Sequence, residues 1–374
     1  MQGLSDSMGA WMQAVGNSAE CIRVPPAREP LDVITNKVPK AIGMGAAGIA
    51  MGLAALCVPA CRSLDKEAML AKLQGLAKNR ALAEQPLLSG TLPARDGVKP
   101  DPLPFRYLHL PASKASDKPP LVLVHGTPGT LYTWSRLLEA TPDMRADRDI
   151  YALEILGNGF APGVAEPCTF ETCARFVGDA LRALQIERAW LVGNSYGGEY
   201  AWRAALNDPD RIAGLILMHP SGFERTDEQW LPEERAMRDM RLAKIGWWLN
   251  SEERIERALA PHFRGVPDGC TQEMYWTCDN ASNWRAMVDL VRDENGTRQA
   301  ELVHIACPTL LVWGAEEIAY PVESFGRRFA DAIPGSELVV LDDCGHYPQE
   351  EQPDASAAAI QDFLARAEAA AAQD

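Results

Sequence analysis

Gly193-Asn194-Ser195-Tyr196-Gly197-Gly198 is the segment of this chain best suited to covalent chemistry. It follows an apolar run, Ala189–Val192, and opens a stretch of helical spacing from Gly197 to Leu206. At a strand-to-helix turn, a G-x-S-x-G sequence carries its serine on a tight, strained elbow, and the flanking glycines keep Cβ atoms out of the close approach. Ser195 Oγ is thereby expected to stand above the carboxyl ends of the strands as a nucleophile. The backbone N–H of Tyr196, at the helix start, points at negative charge developing beside it. A second glycine-rich turn, His125-Gly126-Thr127-Pro128-Gly129, follows the apolar run Leu121–Val124 and offers the N–H of Thr127 to the same oxyanion. His125 is read as structural, holding that turn by hydrogen bonds. The third segment, Gly345-His346-Tyr347-Pro348, lies just past the last predicted strand. Serine is a poor nucleophile at neutral pH, so a neutral imidazole has to take its proton. His346 is where such a base belongs.

These segments need a scaffold, and the sequence predicts one. Residues 64–83 show an amphipathic helical pattern, and 84–120 read as a Pro-, Gly- and Lys-rich linker interrupted by a strand at Phe105–Leu110. Strands are then predicted at Leu121–Val124, Ile150–Ile155, Ala189–Val192, Ile212–Met218, Thr309–Trp313 and Glu337–Leu341. Helices are predicted at Thr169–Leu184, Gly197–Leu206, Val322–Ala332 and Asp354–Ala370. Strand alternating with helix implies an α/β fold with a mostly parallel, doubly wound sheet. Residues 219–306 break the alternation. They are polar, helical in period and hold Trp230, Trp247, Trp248, Trp276 and Trp284. Such an insertion reads as a helical cap, whose Trp residues either pack a small domain or line an apolar substrate pocket.

With its elbow, its His-Gly turn and its late Gly-His in this order, the chain from about Phe105 onward resembles the α/β-hydrolase superfamily. The Gly-Asn-Ser-x-Gly-Gly segment is similar to that of carbon–carbon bond hydrolases of aromatic ring degradation, and the whole is similar to broad esterases and lipases. Ser at position 195 sets the chain apart from the Asp-nucleophile epoxide hydrolases and haloalkane dehalogenases. The resemblance implies a triad acid three residues after the Gly of a Trp-Gly pair. Here that pair is Trp313-Gly314 and the position is Glu317, so Glu stands where Asp is usual. Glu316, Asp342 and Asp343 are the alternatives. The expected function is hydrolysis of an apolar small-molecule ester by Ser195, His346 and Glu317 through an acyl-enzyme, without a cofactor. The alternatives are carbon–carbon bond cleavage of a vinylogous diketone by the same residues, or a catalytically inactive fold used for binding.

Composition narrows the partners. The chain has 374 residues, 36 Lys+Arg against 51 Asp+Glu and a net charge of −15, which disfavours nucleic acid and attraction to anionic lipid, so that any membrane tether is expected in residues 41–61 rather than on the domain's own surface. Residues 1–40 form a leader. Ala41 to Cys61 contain no charge, and as a helix would span about 31 Å, close to a bilayer's hydrocarbon core. Lys37 and Lys40 precede this stretch, which places the N-terminus in the cytoplasm and the rest outside. An exported or membrane-anchored catalytic domain is therefore expected, with a cytoplasmic one or a buried Ala/Gly-rich helix as the alternative. Val58-Pro59-Ala60-Cys61 loosely resembles a lipobox. The fingerprint Gly43-x-Gly45-x-x-Gly48 lacks a preceding strand and is read as accidental. Cys168/Cys173 and Cys270/Cys278 are candidate disulfides for an exported domain. The Cys and His spacing suggests no zinc site.

Overall fold

A computed structural model describes residues 63–92, 103–162 and 167–372. The leader, the uncharged 41–61 stretch, the Gly43–Gly48 fingerprint and Cys21, Cys57 and Cys61 lie outside the described residues. None of the described helices is long and apolar enough to cross a membrane.

Eight strands form one sheet: β1 Leu88–Thr91, β2 Pro104–Leu110, β3 Leu121–Val124, β4 Ile150–Leu153, β5 Ala189–Asn194, β6 Ile212–Met218, β7 Thr309–Gly314 and β8 Glu337–Leu341. Their spatial order is β1-β2-β4-β3-β5-β6-β7-β8. The β1–β2 and β2–β4 pairs are antiparallel and the remaining pairs parallel. Strands β3, β5, β6 and β7 are buried along their whole length, as their unbroken apolar runs require in a sheet covered on both faces. Alternate residues serve opposite layers. Val122, Val124, Leu191, Leu215 and Leu217 join one core, and Leu121, Leu123, Val192, Ile216 and Met218 the other.

Helix α1, Lys66–Gln74, starts at Asp65, whose carboxylate accepts the amides of Glu67 and Ala68 at 2.9 and 3.2 Å, and it stops at Gly75. The single helix expected over 64–83 is therefore broken, with Arg80–Ala83 forming a separate turn. Strand β1 falls inside the expected linker. Its Leu-Ser-Gly-Thr sequence alternates half-buried and exposed at the sheet edge, so it leaves little apolar signature. Helices α2, Phe170–Ala183, and α3, Tyr196–Asn207, cover the first core layer with Phe170, Phe176, Tyr200 and Trp202. Between β6 and β7 the chain runs through α4 Pro232–Arg238, α5 Met240–Trp248, α6 Glu252–Leu259, α7 Cys270–Cys278 and α8 Ala281–Asp293. The closing helix α9, Pro353–Ala371, packs Ile360, Phe363 and Leu364 into the second layer.

The segment before β2 fastens this helical insertion to the sheet. Leu64 N–H donates to Asp279 O at 2.8 Å, and Lys66 Nζ reaches Asn283 Oδ1 at 2.9 Å. Lys78 is buried, with Nζ 2.6 Å from Glu273 of α7 and 2.9 Å from Glu350 beyond β8.

The six described cysteines are free thiols. This corrects the expected bridges. Cys270 and Cys278 stand at opposite ends of α7, about 12 Å apart along a helix axis, beyond the reach of a disulfide. Cys168 and Cys173 interact as buried thiols, and the Cys168 thiol is pulled down first by its hydrogen bond with Cys173.

Candidate active site

Ser195 occupies the elbow between β5 and α3 with φ 56° and ψ −125°, a conformation that a non-glycine residue holds only where its surroundings fix it. Its N–H donates to Met218 O at 2.8 Å, tying the elbow to the end of β6. The glycine requirement is steric. A Cβ on Gly197 would lie 2.1 Å from Val124 O, and one on Gly193 would lie 2.5 Å from Gly197 O. Asn194 adds a cross-link that its motif position did not announce. Its Nδ2 donates to His346 O at 3.1 Å, and its Oδ1 accepts from Gln349 Nε2 at 3.2 Å. The elbow and the loop carrying His346 are thus held in one frame.

His346 and Glu317 are buried, and His346 Nδ1 pairs directly with Glu317 Oε2. Glu317 Oε1 accepts the amides of Ala319 at 2.5 Å and Tyr320 at 3.2 Å, which fixes the carboxylate's orientation. Burial alone would raise the Glu317 carboxyl, but the His346 ring and hydrogen bond hold it below the usual carboxylate range. Burial alone would lower His346, yet the charge of Glu317 and the same hydrogen bond carry it above an ordinary histidine. Glu316 is exposed and pairs with Arg264 at 3.0 Å; Asp343 lies 3.6 Å from Arg264, and Asp342 is also exposed. The geometry therefore brings Glu317, and not those three, to the imidazole.

Thr127 and Tyr196 line the same cavity as Ser195 and His346. As the first residue of α3, Tyr196 has an amide without an intrahelical acceptor. A Cβ on Gly126 would lie 2.9 Å from Asn194 O and 3.1 Å from Ser195 Cβ, so the Thr127 turn approaches the elbow as closely as glycine allows. His125 is fully buried; Nδ1 lies 2.8 Å from Gly126 O, and Nε2 accepts from Ile155 N at 3.0 Å. Burial pushes it down to about 4, so it is neutral and holds the turn.

Several residues without a local motif complete the site. His219, directly after β6, has φ 47° and accepts the Gly314 amide at Nε2, 2.6 Å away. Burial lowers it to about 3. His219, Glu317 and His346 could in principle share a metal ion, but those two hydrogen bonds already engage His219 Nε2 and His346 Nδ1. Glu294, at the end of α8, accepts from Tyr196 Oη at 2.7 Å and from Tyr320 Oη at 3.0 Å, and Arg225 Nη1 donates to it at 3.3 Å. One buried cap carboxylate thus joins the residue after Ser195 to the residue whose amide supports Glu317. The backbone carbonyl of His262, also from the insertion, accepts the His346 amide at 2.7 Å. These contacts join residues far apart in the chain, and only the acidity and aromaticity of the individual positions could have hinted at them.

The cavity is about 240 Å³ and passes beneath the insertion, where Met237, Leu259, Met274, Trp284, Met287 and Val291 form apolar wall. The five tryptophans divide. Trp284 lines the cavity, Trp230 stacks on Arg225 at 4.0 Å, Trp276 lies under Lys72 at 5.0 Å, Trp247 is half-buried and Trp248 is exposed.

A family model described as alpha/beta hydrolase fold matches residues 119–353. The chain belongs to the α/β-hydrolase fold family. Among curated relatives, this hydrolase is 29% identical over 263 residues to 2-hydroxymuconate semialdehyde hydrolase of Pseudomonas sp. (strain CF600), covering 67% of this chain and 89% of the relative. It is 26% identical over 270 residues to haloalkane dehalogenase 2 of Mycobacterium bovis, covering 65% and 86%. Among solved structures, a bacterial membrane phospholipase A superposes with a TM-score of 0.64 at 23% identity, over 86% of this chain and 97% of that one. The expected α/β-hydrolase fold with a mostly parallel sheet is the one observed.

Proposed function

We propose that this hydrolase cleaves esters with an apolar acyl group through a Ser195 acyl-enzyme. The observation that carries the proposal is that Ser195, His346 and the Thr127 and Tyr196 turns open onto one cavity whose cap side is apolar. His346 Nε2 takes the Ser195 proton as Oγ attacks the carbonyl carbon. The amides of Thr127 and Tyr196 hold the oxyanion, and Glu317 stabilises the imidazolium that forms. On collapse, His346 gives the proton to the departing alkoxide oxygen. It then takes a proton from water, whose oxygen attacks the acyl carbon, and the carboxylic acid leaves with Ser195 restored. These steps call on no cofactor.

A second reading is hydrolysis of a carbon–carbon bond in a vinylogous diketone by the same residues. The Gly-Asn-Ser-x-Gly-Gly elbow and the relatedness to 2-hydroxymuconate semialdehyde hydrolase favour it. The charge of the cavity favours the ester. Among the described residues lining it, Arg254 is the one permanent cation, and Glu233 and Glu234 line it too, a poor setting for an anionic substrate. Wild type and Ser195→Ala, assayed with a short-chain chromogenic ester, a vinylogous diketone and an organophosphonate probe, separate the readings. Turnover of the ester and labelling of wild type alone support the proposal. Preference for the diketone selects the second reading, and an unlabelled, inert wild type removes both. We also place the catalytic domain outside the cytoplasm, tethered or exported through residues 41–61, and the N-terminal residue of the mature protein tests that.

A further inference from the structure

Met240, Leu242, Ile245, Trp248 and Leu249 are 44, 49, 52, 43 and 40% exposed, all on α5 or at its end. Large apolar side chains exposed together on one element mark an interaction surface, whereas Val303, Ile318 and Val340 fall singly elsewhere. At about 100° per residue the outward arc of α5 runs Met240, Lys244, Trp248, Arg241, Ile245, Leu249, Leu242. Its two cations stand among the apolar side chains, and α5 contains no acid. Ala243 faces inward and is buried, its carbonyl accepting from Trp284 Nε1 at 3.2 Å. Leu242 belongs to the exposed arc and, with Gly246, to the cavity wall, so the patch runs into the substrate site.

We propose that this face of α5 seats the protein on an anionic lipid surface, from which the acyl group enters the cavity. The identity of what is cleaved rests on the ester reading above; the docking itself does not. A lipid surface accepts aliphatic side chains and Trp at the headgroup boundary, while Lys and Arg extend their charged ends to anionic headgroups. Set in a chain of net charge −15, the cationic α5 favours turning this side toward such a membrane. A symmetric contact with a second copy fits less well, because it would bring Arg241 and Lys244 against the same face of their counterparts.

Hydrogen exchange on the full chain tests this with and without phosphatidylglycerol vesicles. Amides of residues 239–250 are expected to exchange several-fold more slowly with vesicles present, and less so with phosphatidylcholine. Unchanged exchange there overturns the proposal even if the protein binds vesicles by another segment. Protection without vesicles that vanishes on dilution overturns it in favour of self-association. In a second arm, Ile245→Asp/Trp248→Asp and Arg241→Glu/Lys244→Glu are compared with wild type on a soluble short-chain ester and on a long-chain ester carried in the vesicles. The ratio of vesicle to soluble rate is expected to fall about tenfold with the apolar pair changed, the loss of roughly one large side chain's burial. An unchanged ratio in both variants overturns the proposal. A wild type inert on both esters removes the ester reading and leaves the exchange experiment to decide the docking.

Discussion

Glu317→Gln isolates the carboxylate's electrical role from its volume. In the native site Oε2 faces His346 Nδ1 while Oε1 accepts the amides of Ala319 and Tyr320. A glutamine keeps those two amides satisfied only by giving them its oxygen. Its NH2 then faces Nδ1, which must become the acceptor, and the ring proton moves to Nε2. The base now presents a proton to Ser195 instead of a lone pair, and the imidazolium loses its counter-charge. The comparable loss in a triad with the wrong tautomer is about 10⁴-fold in kcat, or about 5 kcal/mol of transition-state stabilisation. KM for a short ester should stay within about threefold, because the side chain is buried behind His346 and is not among the residues lining the cavity. Titration gives a second readout. Protonated His346 cannot accept the serine proton, so activity rises as pH passes its raised pKa, above the ordinary histidine value of about 6.5. Removing the negative charge moves that acid limb downward in the variant's residual activity. Steady-state kinetics from pH 5 to 9 measure both. A variant within about tenfold of wild type, or one whose loss lies wholly in KM, would refute the assignment of Glu317.

Three further perturbations follow from particular contacts. Lys78→Met should lower stability by about 4 kcal/mol, since it strands Glu273 in the interior and leaves Glu350 with Arg136 alone, and should shift the calorimetric midpoint down by roughly 10 °C. Gly197→Ala puts a methyl 2.1 Å from Val124 O and 2.6 Å from His125 O; the backbone cannot yield cheaply, so a loss of about 3 kcal/mol in urea titration is expected together with reduced kcat. Glu294→Gln leaves Tyr196 and Tyr320 competing for one oxygen and should cost about 2 kcal/mol in the same titration. A midpoint unchanged by that substitution would mean the two phenols do not depend on the cap carboxylate.

What the sequence disclosed is what short-range pattern can carry. The elbow, the Gly-His segment and the central strands are local: an apolar run, a glycine that no side chain can replace, a helix start. Glu317 was reachable because it sits at a fixed offset from Trp313-Gly314, even with Glu in place of Asp. Strand β1 was hidden because an edge strand of Leu, Ser, Gly and Thr buries too little to set up a period. His219, Arg225 and Glu294 were hidden for a different reason. Their significance comes from partners 95, 69 and 98 positions away, and no spacing rule spans such loops. For Cys270 and Cys278 the disulfide expectation failed on geometry: cysteines eight positions apart look close in a loop and are remote on a helix. The overall acidity likewise concealed a cationic, apolar helix, because a sum over the whole chain carries no information about where its terms lie.

The ties made by residues 63–92 and by β2 bear on where this protein can be divided. The family pattern begins at residue 119 and contains Ser195, Glu317 and His346, so a designer trimming the gene by recognised sequence would cut there. The mechanical boundary lies earlier. Such a cut removes β2 and leaves β4 as a bare strand edge, ready to pair with another chain. It also withdraws Lys78 from two interior carboxylates and unfastens the insertion from Leu64 and Lys66. The fragment would retain Ser195, Glu317 and His346 and expose an edge prone to aggregation. Inheritance and mechanics thus draw different borders on this polypeptide.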